Sequence, residues 1–442
     1  MRVTRFCLTY SQKDYIPVQV QAIFDEKVYE SIPCKPKNLS LICLLQAKRE
    51  LLDEVLRLYN ILTLFSPDKI VYNFSNMDKI GMPIIYLRRS GKVHKFQKNI
   101  SPIPETFLYK NKTYNSKKFL EESITTALII VQDNTIIYED YYLGTKDTDL
   151  RISWSVTKSF ISALFGPPVA TGQIKITDKI TKYVPELKES GYKDASVKNV
   201  LQMSSGVYFD ENYTKLSSDI NRLGRILALG GSFDKFALSL RSQRKPGTFL
   251  HYVSIDTHVL GMVLRNVTGE KIQNLFVKNL WSHLGAEANA YFLADDTGEA
   301  MALGGLCLRS RDMARFGILY LQDGFLNGRQ VIPKAWIQES TYPQEKYLFP
   351  GKRDTASTVH GYGYQWWIPE DFDKEFLAVG IYDQMIYINK KSNVVIVKNS
   401  ANYNFANNNF QSSNQAIAFF RAVAEKYSLD KRKPSPVRGS NP

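Results

Sequence analysis

The stretch on which this chain's reading turns is Ile152-Ser-Trp-Ser155-Val-Thr-Lys158-Ser-Phe160. It follows two β-rich runs, Thr126 to Gln132 (TALIIVQ) and Thr135 to Tyr142 (TIIYEDYY), separated by the two-residue turn Asp133-Asn134. An apolar segment then runs to Phe165, and the spacing predicts a helix from Ser155 to Phe165, capped by Gly166 and broken by Pro167-Pro168. On a helix, positions i and i+3 share a face, so the Lys158 amine can reach the Ser155 hydroxyl. A helix N-terminus disfavours a protonated lysine and favours a developing alkoxide. A serine hydroxyl needs such a base to become a nucleophile near neutral pH. The pattern Ser-x-x-Lys alone says little. It also occurs at Ser66/Lys69, Ser190/Lys193, Ser232/Lys235, Ser242/Lys245 and Ser428/Lys431. Only Ser155 opens an apolar helix directly after a strand pair; the plainer reading is a capping serine beside a solvated lysine.

Two further elements bear on that choice. Downstream, Pro246-Gly247-Thr248 leads into His251-Tyr252-Val-Ser254. A phenol beside a lysine ammonium is suited to carry a proton toward a leaving group. Late in the chain, Phe376 to Ile381 (FLAVGI) reads as a strand. Such a strand beside the nucleophile can offer a backbone N–H to a reacting carbonyl oxygen. The candidate donor is the Ile381 N–H, just past Gly380, paired with the Ser155 N–H. Strands are also expected at Gly363 to Ile368, Gln384 to Asn389 and Asn393 to Asn399, with a closing helix from about Asn414 to Tyr427. Strands at both ends around a helical stretch predict an α+β fold, whose first and last strands pair in one antiparallel sheet.

Together, Ser155-Val-Thr-Lys158, Tyr252-Val-Ser254 and the strand ending at Gly380 resemble the three motifs of class C β-lactamases, DD-peptidases and related esterases. The stretches ISWSVTKSF, LQMSSGVYF, HYVSIDTHVLGMVL, GGLCLRSRDMARFG and GYGYQWWIP most resemble the 6-aminohexanoate-dimer hydrolase branch of that superfamily. The likeness covers roughly residues 100–428. It implies an antiparallel sheet flanked by helices plus a helical subdomain, at about residues 151–294, within a hydrolase domain spanning 96–428. It also implies an acyl-enzyme mechanism. Ser155 attacks, Lys158 takes its proton, Tyr252 with Ser254 relays it, and Gly380-Ile381 supports the oxyanion. Many β-lactam-binding members carry Lys or His, then Thr-Gly, where this chain has Ala378-Val379-Gly380. Asp383 stands where relatives typically have Gly, and Pro167-Pro168 interrupts what is usually helix.

Charge placement limits the alternatives. The net charge is +14, yet residues 1–120 hold 20 Lys/Arg against 10 Asp/Glu, and the tail 429–442 is basic, so the presumed body is close to neutral. A nucleic-acid enzyme would carry its basic patch around its cleft, so no nucleic-acid partner is expected. The basic N-terminal region suits peripheral contact with an anionic membrane, or simply solubility. Residues 1–95 are expected to form an extension of unknown role. Within it Leu51, Val55, Leu58, Leu62 and Phe65 recur at helical spacing, and residues 66–104 read as loop. Cys7, Cys34, Cys43 and Cys307 form no CxxC pair, and the five histidines form no HExxH, so neither metal nor cofactor is expected. No acid stands in the sequence beside His251 or His258 to complete a Ser-His pair. No apolar run reaches a membrane-span length and no signal peptide is visible, which reads as cytoplasmic, while the resemblance also admits an exported or membrane-associated protein. Two function classes therefore stand. One is a serine hydrolase acting on small-molecule amides or esters, with a DD-peptidase or β-lactamase as its narrower variant. The other is a catalytically silent binding or sensor module on the same fold, favoured by Asp383 and the double proline.

Overall fold

The computed structural model describes residues 52, 54–406 and 411–430. The strands expected around the turn at residues 133–134 form as Thr125–Gln132 and Thr135–Tyr141. Asp133 (φ 46°) and Asn134 (φ 64°) are both left-handed, as a tight hairpin turn requires. Every residue of Thr125–Gln132 is buried, because helices cover both faces of its sheet. That is why the strand reads as a continuous apolar run, without alternation.

This sheet has eight strands in the order Gly361–Tyr362, Trp367–Ile368, Glu375–Gly380, Gln384–Asn389, Val394–Ser400, Thr125–Gln132, Thr135–Tyr141 and Gln97–Lys98. All neighbours are antiparallel except the edge pair of Gln97–Lys98 with Thr135–Tyr141. The late strand Val394–Ser400 pairs with Thr125–Gln132, which closes the α+β sheet as expected. Helix Ser310–Leu321 lies on one face. It comes so close that a Cβ on Gly317 would meet Val395 Cγ1 at 2.4 Å. Helices Ser116–Glu122 and Gln411–Asp430 cover the other face, with Phe119, Phe419, Phe420 and Val423 buried against Leu128, Ile130 and Ile396.

A second, four-stranded sheet orders Ile84–Leu87, Ala290–Leu293, Leu306–Leu308 and Arg151–Ile152. Between Arg151–Ile152 and Ala290–Leu293 the chain is largely helical, with Asp256–Thr268 at its centre. Arg151–Ile152 delivers the chain straight to the Ser155 turn.

Several expectations change. Residues 66–104, read as loop, contain helix Ile70–Phe74 and strands Ile84–Leu87 and Gln97–Lys98, and Ile70, Phe74, Met77 and Leu87 join the main core. Pro and Gly punctuation there marks bends between short elements rather than open loop. Gly166 does not cap a helix, and Pro167-Pro168 do not end one. The helix Thr157–Ala163 gives way to Gly166–Ala170, whose first turn holds both prolines, where a missing N–H costs nothing. Within the run 363–368 only Trp367–Ile368 is strand, and it pairs with a separate short strand, Gly361–Tyr362, just before the run. Cys7, Cys34, Cys43, Leu51 and the basic tail lie outside the described residues.

Candidate active site

Ser155 sits on a 3-10 turn, Trp154–Val156, immediately before helix Thr157–Ala163. The turn is pinned from behind. Ser153 N and Oγ both donate to Leu306 O, and Thr157 Oγ1 lies 2.9 Å from Ser153 Oγ. Trp154 is held at φ 46°, a left-handed backbone that is uncommon for a bulky residue and typical of a constrained site.

Lys158 is fully buried, and its Nζ donates to Ser155 Oγ at 3.2 Å and to the Leu303 carbonyl. Burial disfavours the ammonium and pushes its pKa down to about 7, against the opposing pull of Glu211 and Asp256. The expected i, i+3 reach is therefore met, and the base is poised near neutral pH.

The Tyr252 phenol lies close enough to the Ser155 and Ser254 hydroxyls for both to lower its pKa, and Lys158 Nζ lies 5.5 Å from the centre of its ring. The ring is clamped by a stack on Trp367 at 5.3 Å. Burial and the nearby Glu211 charge raise the phenol's pKa, so Tyr252 stays protonated and works as a donor and acceptor, not as a phenolate. Ser254 does not simply line the cleft. Its Oγ donates to Glu211 Oε1 at 2.6 Å and its N–H to Glu211 Oε2 at 3.2 Å. Lys158 bonded to Ser155 and Ser254 bonded to Glu211 thus flank the Tyr252 phenol on its two sides.

Glu211 and Asp256 are the residues that sequence reasoning missed. Glu211 also accepts from Tyr213 OH at 2.7 Å, and burial raises its pKa. Asp256 is fully buried, accepts from Tyr192 OH at 2.7 Å, and is pushed up to about 8 by burial. A signal for Asp256 was present, since an acid opens an otherwise apolar helix two residues after Ser254. Glu211 lies in a polar loop, half-buried, and nothing local in the sequence marks it as part of the site.

The late strand lies where expected, and glycine is required there. A Cβ on Gly380 would sit 2.6 Å from Ser153 O and 3.0 Å from Ser155 N. Only a bare backbone lets this strand press against the nucleophile turn, one residue before Ile381. Ala378 and Gly380 face the Ser155 side, while Leu377 and Val379 pack beneath helix Gln411–Asp430.

Asp383 does not turn its charge to water. It is buried, with Oδ2 accepting from Asn402 Nδ2 at 2.7 Å and Oδ1 from Ser413 Oγ at 3.0 Å. Its φ of 63° follows 61° at Tyr382, so the position does demand the left-handed backbone that glycine supplies elsewhere. His258 does have an acid beside it after all. Its Nε2 lies 2.6 Å from Asp234 Oδ1, in a cluster whose further members are Arg265 and Glu299. His258 and Asp234 are far apart in sequence, which hid the pair. Among the described residues, no His, Cys, Asp and Glu cluster could hold a metal ion, and no helix is long and apolar enough to cross a membrane.

A sheet between helical layers, with the serine and lysine at its junction with a helical stretch, defines the class of hydrolases on the β-lactamase and penicillin-binding fold. The chain belongs to the Beta-lactamase family, whose model matches residues 117–419. It is 28% identical over 290 residues to a 6-aminohexanoate-dimer hydrolase of Paenarthrobacter ureafaciens, covering 64% of this chain and 74% of that one. Its fold is similar to that of a putative 6-aminohexanoate-dimer hydrolase from Bacillus anthracis, with a TM-score of 0.74 at 22% identity over 84% of this chain and 97% of the other. A family VIII carboxylesterase superposes with a TM-score of 0.51 at 16% identity, over 70% and 96% of the two chains.

Proposed function

We propose that the protein cleaves amide or ester bonds of small acyl compounds through an acyl-enzyme on Ser155. Neutral Lys158 takes the Ser155 proton as Oγ attacks the carbonyl. The Ser155 and Ile381 N–H groups stabilise the oxyanion. Tyr252, with Ser254, passes a proton to the leaving group, and water then releases the acyl chain. Glu211 acts as a positioning residue. It fixes Ser254, and its charge tempers the fall in the Lys158 pKa.

The observation that carries this reading is the buried Lys158 amine 3.2 Å from Ser155 Oγ, with a pKa of about 7. A silent binding module has no need to bury a lysine at such cost. The likeness to 6-aminohexanoate-dimer hydrolases favours linear amides over β-lactams as the substrate class. The test is hydrolysis of a short p-nitrophenyl ester. Ser155→Ala and Lys158→Ala should each lose on the order of ten-thousand-fold in kcat, because the residues act as a unit. Wild-type turnover in folded Ser155→Ala would overturn the assignment.

A further inference from the structure

Residues 52 and 54–62 form a helix whose inner side is fastened to the body. Arg57 Nε donates to Leu227 O at 2.9 Å, Arg57 pairs with Asp296 at 3.2 Å, and Leu64 just beyond the helix is buried. Of the residues noted at helical spacing, Val55 and Leu62 turn outward, Leu58 is half-buried and Phe65 packs on Tyr382. Leu52 (56% exposed), Val55 (51%), Leu56 (47%), Tyr59 (53%) and Leu62 (61%) recur at helical spacing on the outer face.

We propose that this face docks the protein on an anionic lipid bilayer. The surroundings of the stripe favour a bilayer over another occupant. Lys69 Nζ donates to Tyr59 OH at 2.7 Å and lies 4.5 Å from the centre of its ring, and Lys79 Nζ lies 5.7 Å over the exposed Tyr72 ring. Tyrosines with ammonium groups at the rim of an apolar stripe match the polar-to-apolar gradient of a membrane interface. Residues 52–98 carry eight Lys/Arg against four Asp/Glu, complementary to anionic headgroups. The helix is anchored before any lipid arrives, so docking does not require ordering it. Past its end, Phe65 stacks on Tyr382 at 5.0 Å, two residues beyond Gly380. On the catalytic reading above, docking therefore holds the Ser155 cleft beside the interface, where acyl amphiphiles concentrate. The docking itself does not depend on that reading.

The test is co-sedimentation of the full chain with sucrose-loaded vesicles of phosphatidylcholine, with and without phosphatidylglycerol. The wild type should sediment with the phosphatidylglycerol vesicles, and less so as salt rises. Leu56→Glu/Leu62→Glu should lower partitioning at least about tenfold while leaving circular dichroism and short-ester hydrolysis unchanged. Wild-type protein remaining in the supernatant, or the double variant binding like the wild type, would overturn the proposal. So would a concentration-dependent dimer that the double variant abolishes without any vesicle binding, since that result assigns the stripe to a second copy of the chain. Sedimentation is read without catalysis, so an inactive enzyme that binds vesicles would refute the hydrolase reading alone.

Discussion

If Lys158 is the base, kcat/KM must follow its ionisation. Burial lowers its pKa from 10.5 to about 7. An unshifted lysine would be neutral in only about one molecule in 3,000 at pH 7, whereas this one is about half neutral there. The shift is worth roughly 5 kcal/mol of catalytic readiness. Short-ester kcat/KM should therefore climb about tenfold per pH unit below pH ~6.5 and level off above ~7.5. Because Glu211 is among the charges that raise the Lys158 pKa, Glu211→Gln should move this limb to lower pH. Asp256, pushed up to about 8, titrates close by, so the limb belongs to the coupled group and its response to Glu211→Gln carries the assignment. The stability sign follows from the same shift. The unfolded lysine holds its proton to 10.5 and the folded one to about 7, so Lys158 opposes folding most below that lower value, and the penalty fades as pH rises toward the upper one. A rate still rising tenfold per unit beyond pH ~9 would mean that Lys158 stays protonated, and would refute the reasoning.

Other outcomes follow from the geometry. Gly380→Ala should cut kcat at least about a hundredfold in a folded protein, because its methyl would push the strand off the Ser155 turn; unchanged turnover would show that the strand is no part of the oxyanion site. Asp383→Gly keeps the left-handed backbone but strips Asn402 and Ser413 of their acceptor. It should cost about 1–3 kcal/mol in denaturant unfolding without raising kcat/KM, and a tenfold faster enzyme would mean that the carboxylate does oppose the oxyanion. Nitrocefin turnover should be poor, since Ala378 on the Ser155-facing side offers no charge or hydrogen bond to a β-lactam carboxylate; efficient hydrolysis would point to a β-lactamase instead.

Much of the fold was legible because its signals are local. Asp133-Asn134 between two β-rich runs could hardly be anything but a hairpin, and the apolar spacing of Ile417, Phe420 and Ala424 marked the buried face of the closing helix. Ser155 and Lys158 were legible for the same reason, being one helical turn apart. What escaped depended on long-range contact. Glu211 becomes a site residue only because the chain returns at Ser254, and His258 meets Asp234 only in the folded helical stretch. The outward stripe at Leu56 and Leu62 has the periodicity of a buried face, and periodicity does not say which way a face turns. The surroundings of Asp383 were hidden for the same reason, since its partners, Asn402 and Ser413, lie 19 and 30 residues away.

The central claim is that Ser155 is a nucleophile activated by its neighbours. Its most direct measurement is reaction of the full chain with a fluorophosphonate probe, followed by mass mapping of the modified peptide. One equivalent should be taken up on Ser155 in the wild type, with uptake slowed sharply in Lys158→Ala and absent in Ser155→Ala. Labelling at another residue, or none at all in an enzyme that still hydrolyses esters, would contradict the mechanism.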